Sequence, residues 1–192
     1  MGQELTGDEN YAERKIPDDE KIIKQVLLGD ATAFEILVER YKSKIFTLAY
    51  RMLSSMEEAE DVSQEAFVKI YRSLKIYDAG RTKFSTWIYR ITYNLCVDHL
   101  RKRRETAPLA EDGIVAPSAS PEELAVAKDG ARILHEAICE LPEEYRVPLV
   151  LFHFHGLSYR EICKVLNLPM SIVKNRLFRA RRLLKEKLYG GD

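Results

Sequence analysis

The sequence lacks a long apolar segment and a surplus of charge of either sign. Of its 192 residues, 30 are Lys or Arg and 30 are Asp or Glu, so the formal net charge is zero. No apolar run approaches the roughly 20 residues that a membrane-spanning helix needs. The first ten residues are polar and acidic, unlike the basic start and apolar core of a signal peptide. We therefore expect a cytoplasmic protein with no membrane insertion of its own.

Cysteine is also scarce. The three cysteines, Cys96, Cys139 and Cys163, are too few and too scattered for a disulfide framework. Each has apolar neighbours, which predicts a small buried side chain. No spacing typical of metal ligands appears among the cysteines and the nearby histidines. Since a nucleotide-binding loop and a catalytic constellation are missing as well, we expect no metal, no cofactor and no enzymatic activity.

Strand-like alternation of apolar and polar residues is absent, and apolar residues instead recur every three or four positions. This period predicts an all-α fold. In the first half, Asp30 is expected to cap a helix, and Ser55 with Glu58 forms a capping box for the next one. The predicted helices that follow run from about Met56 to Leu74, from about Phe84 to Arg104, and near 121–140, 143–155, 158–166 and 170–188.

The segment 105–120 has a different composition from the rest of the chain. It contains Pro108, Gly113 and Pro117 without helical periodicity, which is typical of a flexible linker. A Ser-Pro-Glu-Glu sequence then marks the start of a new helix at Ser120. The chain is therefore predicted to hold two small helical domains joined by this linker. Their bounds are 20–104 and 121–190, after an N-terminal tail over 1–19.

The stretch from Ser158 to Leu188 has the form of a helix-turn-helix, with a short helix, a turn and a second helix. Seven basic residues and one acidic residue lie between Lys174 and Lys187. The run is either a solvated basic helix, with cations that favour a helix C-terminus, or a face that contacts bases and phosphates. The upstream helix and turn favour DNA binding. The candidate DNA-contacting residues are Ser171, Lys174, Asn175, Arg176, Phe178, Arg179 and Arg182.

The first domain holds an acidic segment at 56–65, with five acids and no base. Part of this charge favours a helix N-terminus. The remainder is either solvated surface or a docking surface for a basic partner, and the residues alone favour the solvated surface.

The segment Lys83–Asn94 mixes aromatic side chains with cations and an amide, and the basic run Arg101–Arg104 follows it. Any one of these aromatics could belong to the core. Together, however, they offer flat surfaces for stacking and hydrogen-bonding groups, which unpaired bases need. The combination favours contact with a single strand. One helix face collects residues at spacings of three and four, namely Trp87, Arg90, Asn94, Asp98 and Arg101.

These segments resemble the bacterial sigma-70 family of transcription initiation factors, in its minimal extracytoplasmic-function (ECF) group. The stretch Ala59–Phe67 is similar to the family's core-polymerase-binding helix. The stretch Lys83–Asn94, with Asp98 after it, is similar to the segment that melts the promoter and reads its −10 element. Three further stretches resemble the domain that binds the −35 element, namely Leu141–Arg146, Gly156–Ile162 and Val173–Arg181.

The resemblance implies an alternative sigma factor that binds core RNA polymerase and selects promoters. The polymerase clamp helices of the largest subunit would contact Asp61, Gln64, Glu65 and Phe67, and the polymerase flap is a further expected contact. The loop from Tyr77 to Lys83 would help to hold a base flipped from the non-template strand. An anti-sigma factor is the further partner expected for this group. The implied −10 contacts are Tyr77, Lys83, Phe84, Trp87, Tyr89, Arg90, Tyr93, Asn94, Asp98 and Arg101.

Two positions of the last helix depart from the family pattern. The last helix has Ser171-Ile172 where Gly-Thr is common, and Asn175 where Ser or Thr is usual, so the family's −35 preferences are not carried over.

Two other functions remain open. One alternative is a conventional helix-turn-helix regulator that is not a polymerase subunit, although no heptad-bearing dimerisation helix is evident. The other is a protein that sequesters a different regulator, which leaves the basic face unexplained.

Overall fold

The computed structural model describes residues 18–106 and 129–190, and this part of the chain is helical, without a strand. The all-α prediction is therefore confirmed. The first group of elements is α1 (Asp19–Leu27), α2 (Ala33–Leu53), α3 (Met56–Ser73), a 3₁₀ turn (Leu74–Ile76) and α4 (Phe84–Thr106). The second group is α5 (Asp129–Cys139), α6 (Glu143–His153), α7 (Tyr159–Leu166) and α8 (Met170–Tyr189).

Polar side chains determine where α2 and α3 begin. The Asp30 carboxylate accepts hydrogen bonds from the backbone N–H groups of Thr32 and Ala33, at 3.1 and 3.3 Å. Between the two helices, Ser54 adopts the left-handed conformation (φ 57°) that often ends a helix. The Ser55 hydroxyl then accepts from the Glu58 N–H at 3.4 Å. The side chains of Asp30 and Ser55 thus cap these helices as predicted, and of the predicted capping box the bond from the Glu58 N–H to Ser55 is formed.

In the first group, α2 is the central helix and packs against α1, α3 and α4. Its apolar residues at spacings of three and four face this core: Leu37, Tyr41, Ile45, Leu48 and Met52 are buried. Each fully buried aliphatic side chain of this size contributes about 1.5–3 kcal/mol relative to exposure. The outer face of α3 consequently remains available to solvent.

In the second group, α8 packs against α5, α6 and α7. The buried side of α8 is formed by Val173, Leu177 and Ala180, each with no exposed area. A capping box formed by Ser158 and Glu161 is present at the start of α7. The turn that follows carries a left-handed residue (φ 53°) at its first position and a proline that prevents continuation of the helix. Together these features form the helix-turn-helix.

The two groups of helices also contact each other, which the sequence did not predict. Helix α4 packs against α7, and α2 packs against α6. The Arg146 guanidinium donates hydrogen bonds to the carbonyl oxygens of Cys139, at 2.6 Å, and Met52, at 3.1 Å. The guanidinium carbon of Arg51 lies 3.7 Å from the centroid of the Phe154 ring. These contacts join the C-terminal end of α2 to the second group.

Several sequence-based expectations concern the ends of the described ranges. Helix α4 continues through residues 105 and 106, the first two positions of the predicted linker. The rest of that linker, the predicted helix start near 121 and most of the predicted tail lie outside the described residues. Cys96 and Cys139 are buried, as predicted, whereas Cys163 is half-buried. Among the described helices, none is both long enough and apolar enough to cross a membrane.

Candidate nucleic-acid interface

The predicted polymerase-binding residues lie on the outer face of α3. The inner face of this helix packs into the core through Val62, Ala66 and Ile70. Because residues three or four positions apart share a face, the intervening side chains point outward, and Asp61, Gln64 and Glu65 are exposed. Phe67 is half-buried, with its ring centroid 6.5 Å from that of Phe34.

This outer face continues into apolar residues that the sequence analysis did not single out. Val68 is 48% exposed and Tyr71 is 46% exposed, although both are large apolar side chains. The Tyr71 ring packs edge-on against Phe34, with centroids 5.0 Å apart. Their spacing from Gln64 by four and seven residues is the signal that could have revealed them. The surface therefore has an acidic part followed by an apolar part.

The loop between the 3₁₀ turn and α4 is held by its own polar groups. The Asp78 carboxylate accepts from the Gly80 N–H at 2.9 Å and forms an ion pair with Arg81 at 3.0 Å. At the other end of the loop, the Tyr77 hydroxyl donates to the Thr82 carbonyl oxygen at 3.1 Å. Burial and nearby acids raise the pKa of Tyr77 to about 12, so its hydroxyl remains a donor at neutral pH.

An aromatic cluster connects this loop to the start of α4. The Tyr77 ring lies 5.3 Å from both Phe84 and Trp87, measured between centroids. Trp87 is half-buried and begins the outward face of α4 that the sequence predicted. On that face Arg90, Asn94 and Arg101 are exposed, and Asp98 is half-buried. The structure thus brings an aromatic platform, an amide and cations onto one surface, as the spacing indicated.

Two of the predicted contacts are not on this surface. Phe84 is 4% exposed and Tyr89 is 2% exposed. Phe84 packs against Tyr41, and the Tyr89 ring lies 4.8 Å from His155 of the second group. Neither ring is accessible to a base in this arrangement, so the DNA contacts of Phe84 and Tyr89 stay predictions. The Phe84 ring instead packs against the rings of Tyr77 and Trp87.

Other predicted residues are partly engaged by neighbours. Tyr93 is half-buried and lines a small cavity with Glu144 and Arg176. The basic run that ends α4 is partly neutralised by Glu58, which pairs with His99 at 3.3 Å and with Arg103 at 3.4 Å. The positive charge at this end of α4 is consequently weaker than the sequence suggests.

The predicted DNA-binding face of α8 is turned to solvent. Six of its seven candidate residues are exposed, including Phe178 with 67% of its surface. The seventh, Arg176, is half-buried and pairs with Glu144 at 3.3 Å. The Arg179 guanidinium donates to the Tyr145 hydroxyl at 3.4 Å, so α6 helps to orient it. The exposed residues of this face are Ser171, Lys174, Asn175, Phe178, Arg179 and Arg182.

A cavity of about 680 Å³ is lined by residues of the loop at 77–83, the start of α4 and α7. Its walls carry both the aromatic ring of Trp87 and several cations. Within residues 18–106 and 129–190, no group of three or more His, Cys, Asp or Glu side chains is placed to hold a metal ion. The lining residues that carry polar or aromatic groups are Asp78, Arg81, Trp87, Arg90, Lys164 and Asn167.

Comparison with known proteins gives a family-model match in each of the two groups of helices. The family model described as Sigma-70 region 2 matches residues 37–106, and the one described as Sigma-70, region 4 matches residues 131–184. The chain is 40% identical over 179 residues to the ECF RNA polymerase sigma factor SigW of Bacillus subtilis. That alignment covers 88% of this chain and 95% of SigW.

Two solved structures have the same fold. The structure of CnrH in complex with the cytosolic domain of CnrY matches with a TM-score of 0.69 and 25% identity, over 91% of this chain and 99% of CnrH. The sigma factor RpoE of Bartonella quintana, in complex with the anti-sigma factor NepR, matches with a TM-score of 0.65 and 20% identity. That match covers 83% of this chain and 98% of RpoE. The chain described here belongs to the sigma-70 family of RNA polymerase sigma factors, in its ECF group.

Proposed function

We propose that this chain binds core RNA polymerase and directs it to promoters with a −10 and a −35 element, where it helps to melt the DNA. The observation that carries the proposal is the pairing of two different surfaces in one chain. One is the aromatic and polar face of α4 beside the loop at 77–83. The other is the exposed basic face of α8 in a helix-turn-helix.

The α4 surface is suited to an unpaired strand. Flipping a base out of a duplex costs a few kcal/mol of stacking and pairing energy, and stacking on an aromatic side chain returns about 1–3 kcal/mol per base. Trp87 offers the stacking surface, while Asn94 can hydrogen-bond a base edge and Arg90 can contact a phosphate. The chain therefore stabilises opened DNA by binding it and needs no covalent chemistry of its own.

The α8 surface is suited to the major groove, which admits an α-helix. Asn175 and Arg179 are the residues proposed to read bases, because amide and guanidinium groups make bidentate hydrogen bonds with adenine and guanine. Lys174 and Arg182 flank them and are proposed to contact phosphates, which fixes the register of the helix.

Polymerase would contact the outer face of α3 and the second group of helices. The acidic and apolar parts of α3 fit a basic surface with apolar side chains, which we assign to the clamp helices of the largest subunit. A mainly apolar groove of about 350 Å³ between α5, α6 and α8 is the candidate contact for the flap. We further propose that the chain acts in the cytoplasm, where the polymerase is, and that an anti-sigma factor restrains it.

Run-off transcription with purified core polymerase on a promoter library tests this function. Adding the chain should produce transcripts from a defined subset of templates, and those templates should share two sequence elements. If no promoter-specific transcript appears, the proposal fails. A conventional regulator would instead bind a duplex tightly without polymerase, which a mobility-shift assay with the chain alone would detect.

A further inference from the structure

The first turn of α6 contacts the DNA-binding face of α8 through two neighbouring side chains. Glu144 forms an ion pair with Arg176 at 3.3 Å, and the Tyr145 hydroxyl accepts a hydrogen bond from the Arg179 guanidinium at 3.4 Å. Helices α6 and α8 pack against each other. Arg176 and Arg179 are three residues apart and therefore lie on the same side of α8. Each of these two arginines thus has its own partner on α6.

The two partners differ in charge. The Glu144 carboxylate offsets the charge of Arg176, whose side chain keeps only 28% of its surface exposed. The Tyr145 hydroxyl is an uncharged acceptor, and Arg179 remains exposed on the outer face of α8. Arg176 is consequently held against α6, whereas Arg179 keeps its full positive charge for an interaction with DNA.

The fold of α6 sets the position of the Tyr145 hydroxyl. The Tyr145 ring is half-buried and packs against the hydrophobic core. Its backbone N–H donates to the Pro142 carbonyl oxygen at 2.9 Å, and the next residue, Arg146, donates from its guanidinium to the Cys139 carbonyl oxygen at 2.6 Å. A tyrosine side chain has only two χ angles, so a packed ring leaves its hydroxyl little freedom. Tyr145 is therefore a rigid acceptor.

The bond to this acceptor restricts the orientation of Arg179. A free arginine side chain has several rotatable bonds, and ordering it in a complex costs free energy. The bond to Tyr145 uses the Nη1 atom of Arg179. Because a guanidinium has five N–H donors, those on Nε and Nη2 remain for a bidentate contact with the O6 and N7 atoms of guanine. The contact thus orders the side chain without occupying the edge that would read a base.

We propose that Tyr145 is a positioning residue for base reading, which holds the Arg179 guanidinium in its reading orientation before DNA binds. This inference rests on the proposed function of the α8 face. An oriented guanidinium loses less conformational entropy when it bonds to the matching base, and it must leave Tyr145 to adapt to a different base. The result is a sharper base preference rather than tighter binding to all DNA.

The variant Tyr145→Phe removes the acceptor and keeps the aromatic ring. The assay is run-off transcription by core polymerase with the full-length chain, on templates that carry each base at each position of the upstream element. Arg179→Ala identifies the position that Arg179 reads, as the one where the base preference disappears. At that position Tyr145→Phe should lower the preference for the best base about two- to fivefold, the lower part of the range for ordering one side chain, because the bond is long. Preferences at the other positions should be unchanged.

A double-mutant comparison separates positioning from other roles of Tyr145. In the Arg179→Ala background, Tyr145→Phe should have no further effect, since the side chain that it orients is gone. Lys174→Ala is the matched control, because it removes a different exposed cation of the same face, and in this background Tyr145→Phe should keep its full effect. An equal loss of preference at every position would indicate a structural role. An effect that persists without Arg179 would indicate a direct DNA contact by Tyr145, and either result overturns the proposal.

Failure of the positioning role is distinguishable from failure of the proposed function. If the wild-type chain directs no promoter-specific transcript, the proposed function fails and the positioning role fails with it. If the wild type selects promoters but Tyr145→Phe retains the wild-type preference, only the positioning role is overturned. The same holds if Arg179→Ala changes the preference at no position, because Tyr145 would then orient a side chain that reads no base.

Discussion

The rings of Tyr89 on α4 and His155, just beyond the end of α6, lie 4.8 Å apart and join the two groups of helices. Burial of His155 and the positive charges of Arg51 and Lys44 lower its pKa to about 4. Within the described part of the chain, neither nitrogen of its ring has a hydrogen-bond partner. The interface between the two groups of helices therefore contains a histidine that is uncharged at neutral pH.

This neutral histidine predicts a loss of stability in mild acid. In the unfolded chain His155 regains a pKa near 6.5, so between pH 6.5 and about 4 the unfolded state binds a proton that the folded state does not. The contribution of the uncharged His155 ring to the free energy of unfolding is therefore fully present above pH 6.5, and it is lost as the pH falls towards 4. The free energy of unfolding should drop by about 1 kcal/mol between pH 7.5 and 5.5 from this group alone. Urea denaturation measured at both pH values tests this.

The variant His155→Phe provides the comparison, because it keeps an aromatic ring against Tyr89 but does not titrate. Its free energy of unfolding should depend less on pH than that of the wild type, by about the same 1 kcal/mol. Equal pH dependence in the two proteins would mean that folding does not change the pKa of His155.

A second prediction concerns the acidic part of α3. Reversing the charge of Asp61 or Glu65 with lysine should weaken binding to core polymerase, most strongly at low salt, because exposed charges act mainly through screened attraction. Glu39→Lys, an exposed acid on α2, is the control with the same charge change. Binding is measured by fluorescence anisotropy of the labelled chain. Equal effects at all three positions would show a general charge effect rather than a docking surface.

A third prediction concerns Trp87. Replacing it with alanine should slow promoter opening more than initial binding, because about 1–3 kcal/mol of stacking per base is lost only once the strand is unpaired. Trp87→Phe retains an aromatic face and should show a smaller defect. Permanganate reactivity of thymines in the melted region measures opening. Wild-type permanganate reactivity in the alanine variant would show that Trp87 does not contribute to promoter melting.

The features predicted correctly from sequence depend on residues close together in the chain. The apolar stripe of α8, from Val173 to Leu184, follows from helical periodicity. The caps at Asp30 and Ser55 follow from side chains that bond to backbone groups within three residues. These interactions are local, so the sequence contains all the information they require.

The features that the sequence missed depend on contact between distant segments. Tyr89 falls on a polar-looking part of α4 and was expected to face DNA, but His155 covers it in the folded chain. Glu161 completes a local capping box with Ser158, but its second partner, Lys83, belongs to the other group of helices. Periodicity predicts which face of a helix is apolar, but it cannot show which neighbour that face meets.

The most specific prediction concerns the bases read by α8. Asn175→Ala or Arg179→Ala should weaken selection of the upstream promoter element by about 1–3 kcal/mol per lost base contact, and binding to core polymerase should be unchanged. Lys174→Ala, by contrast, should weaken binding to all promoters alike and reduce the salt dependence of that binding, as expected for a phosphate contact. Transcription is measured on templates with single substitutions in the upstream element. If Asn175→Ala lowers transcription from all templates by the same factor, the Asn175 side chain contacts the DNA backbone rather than a base. The specificity of this helix would then lie in its remaining exposed residues.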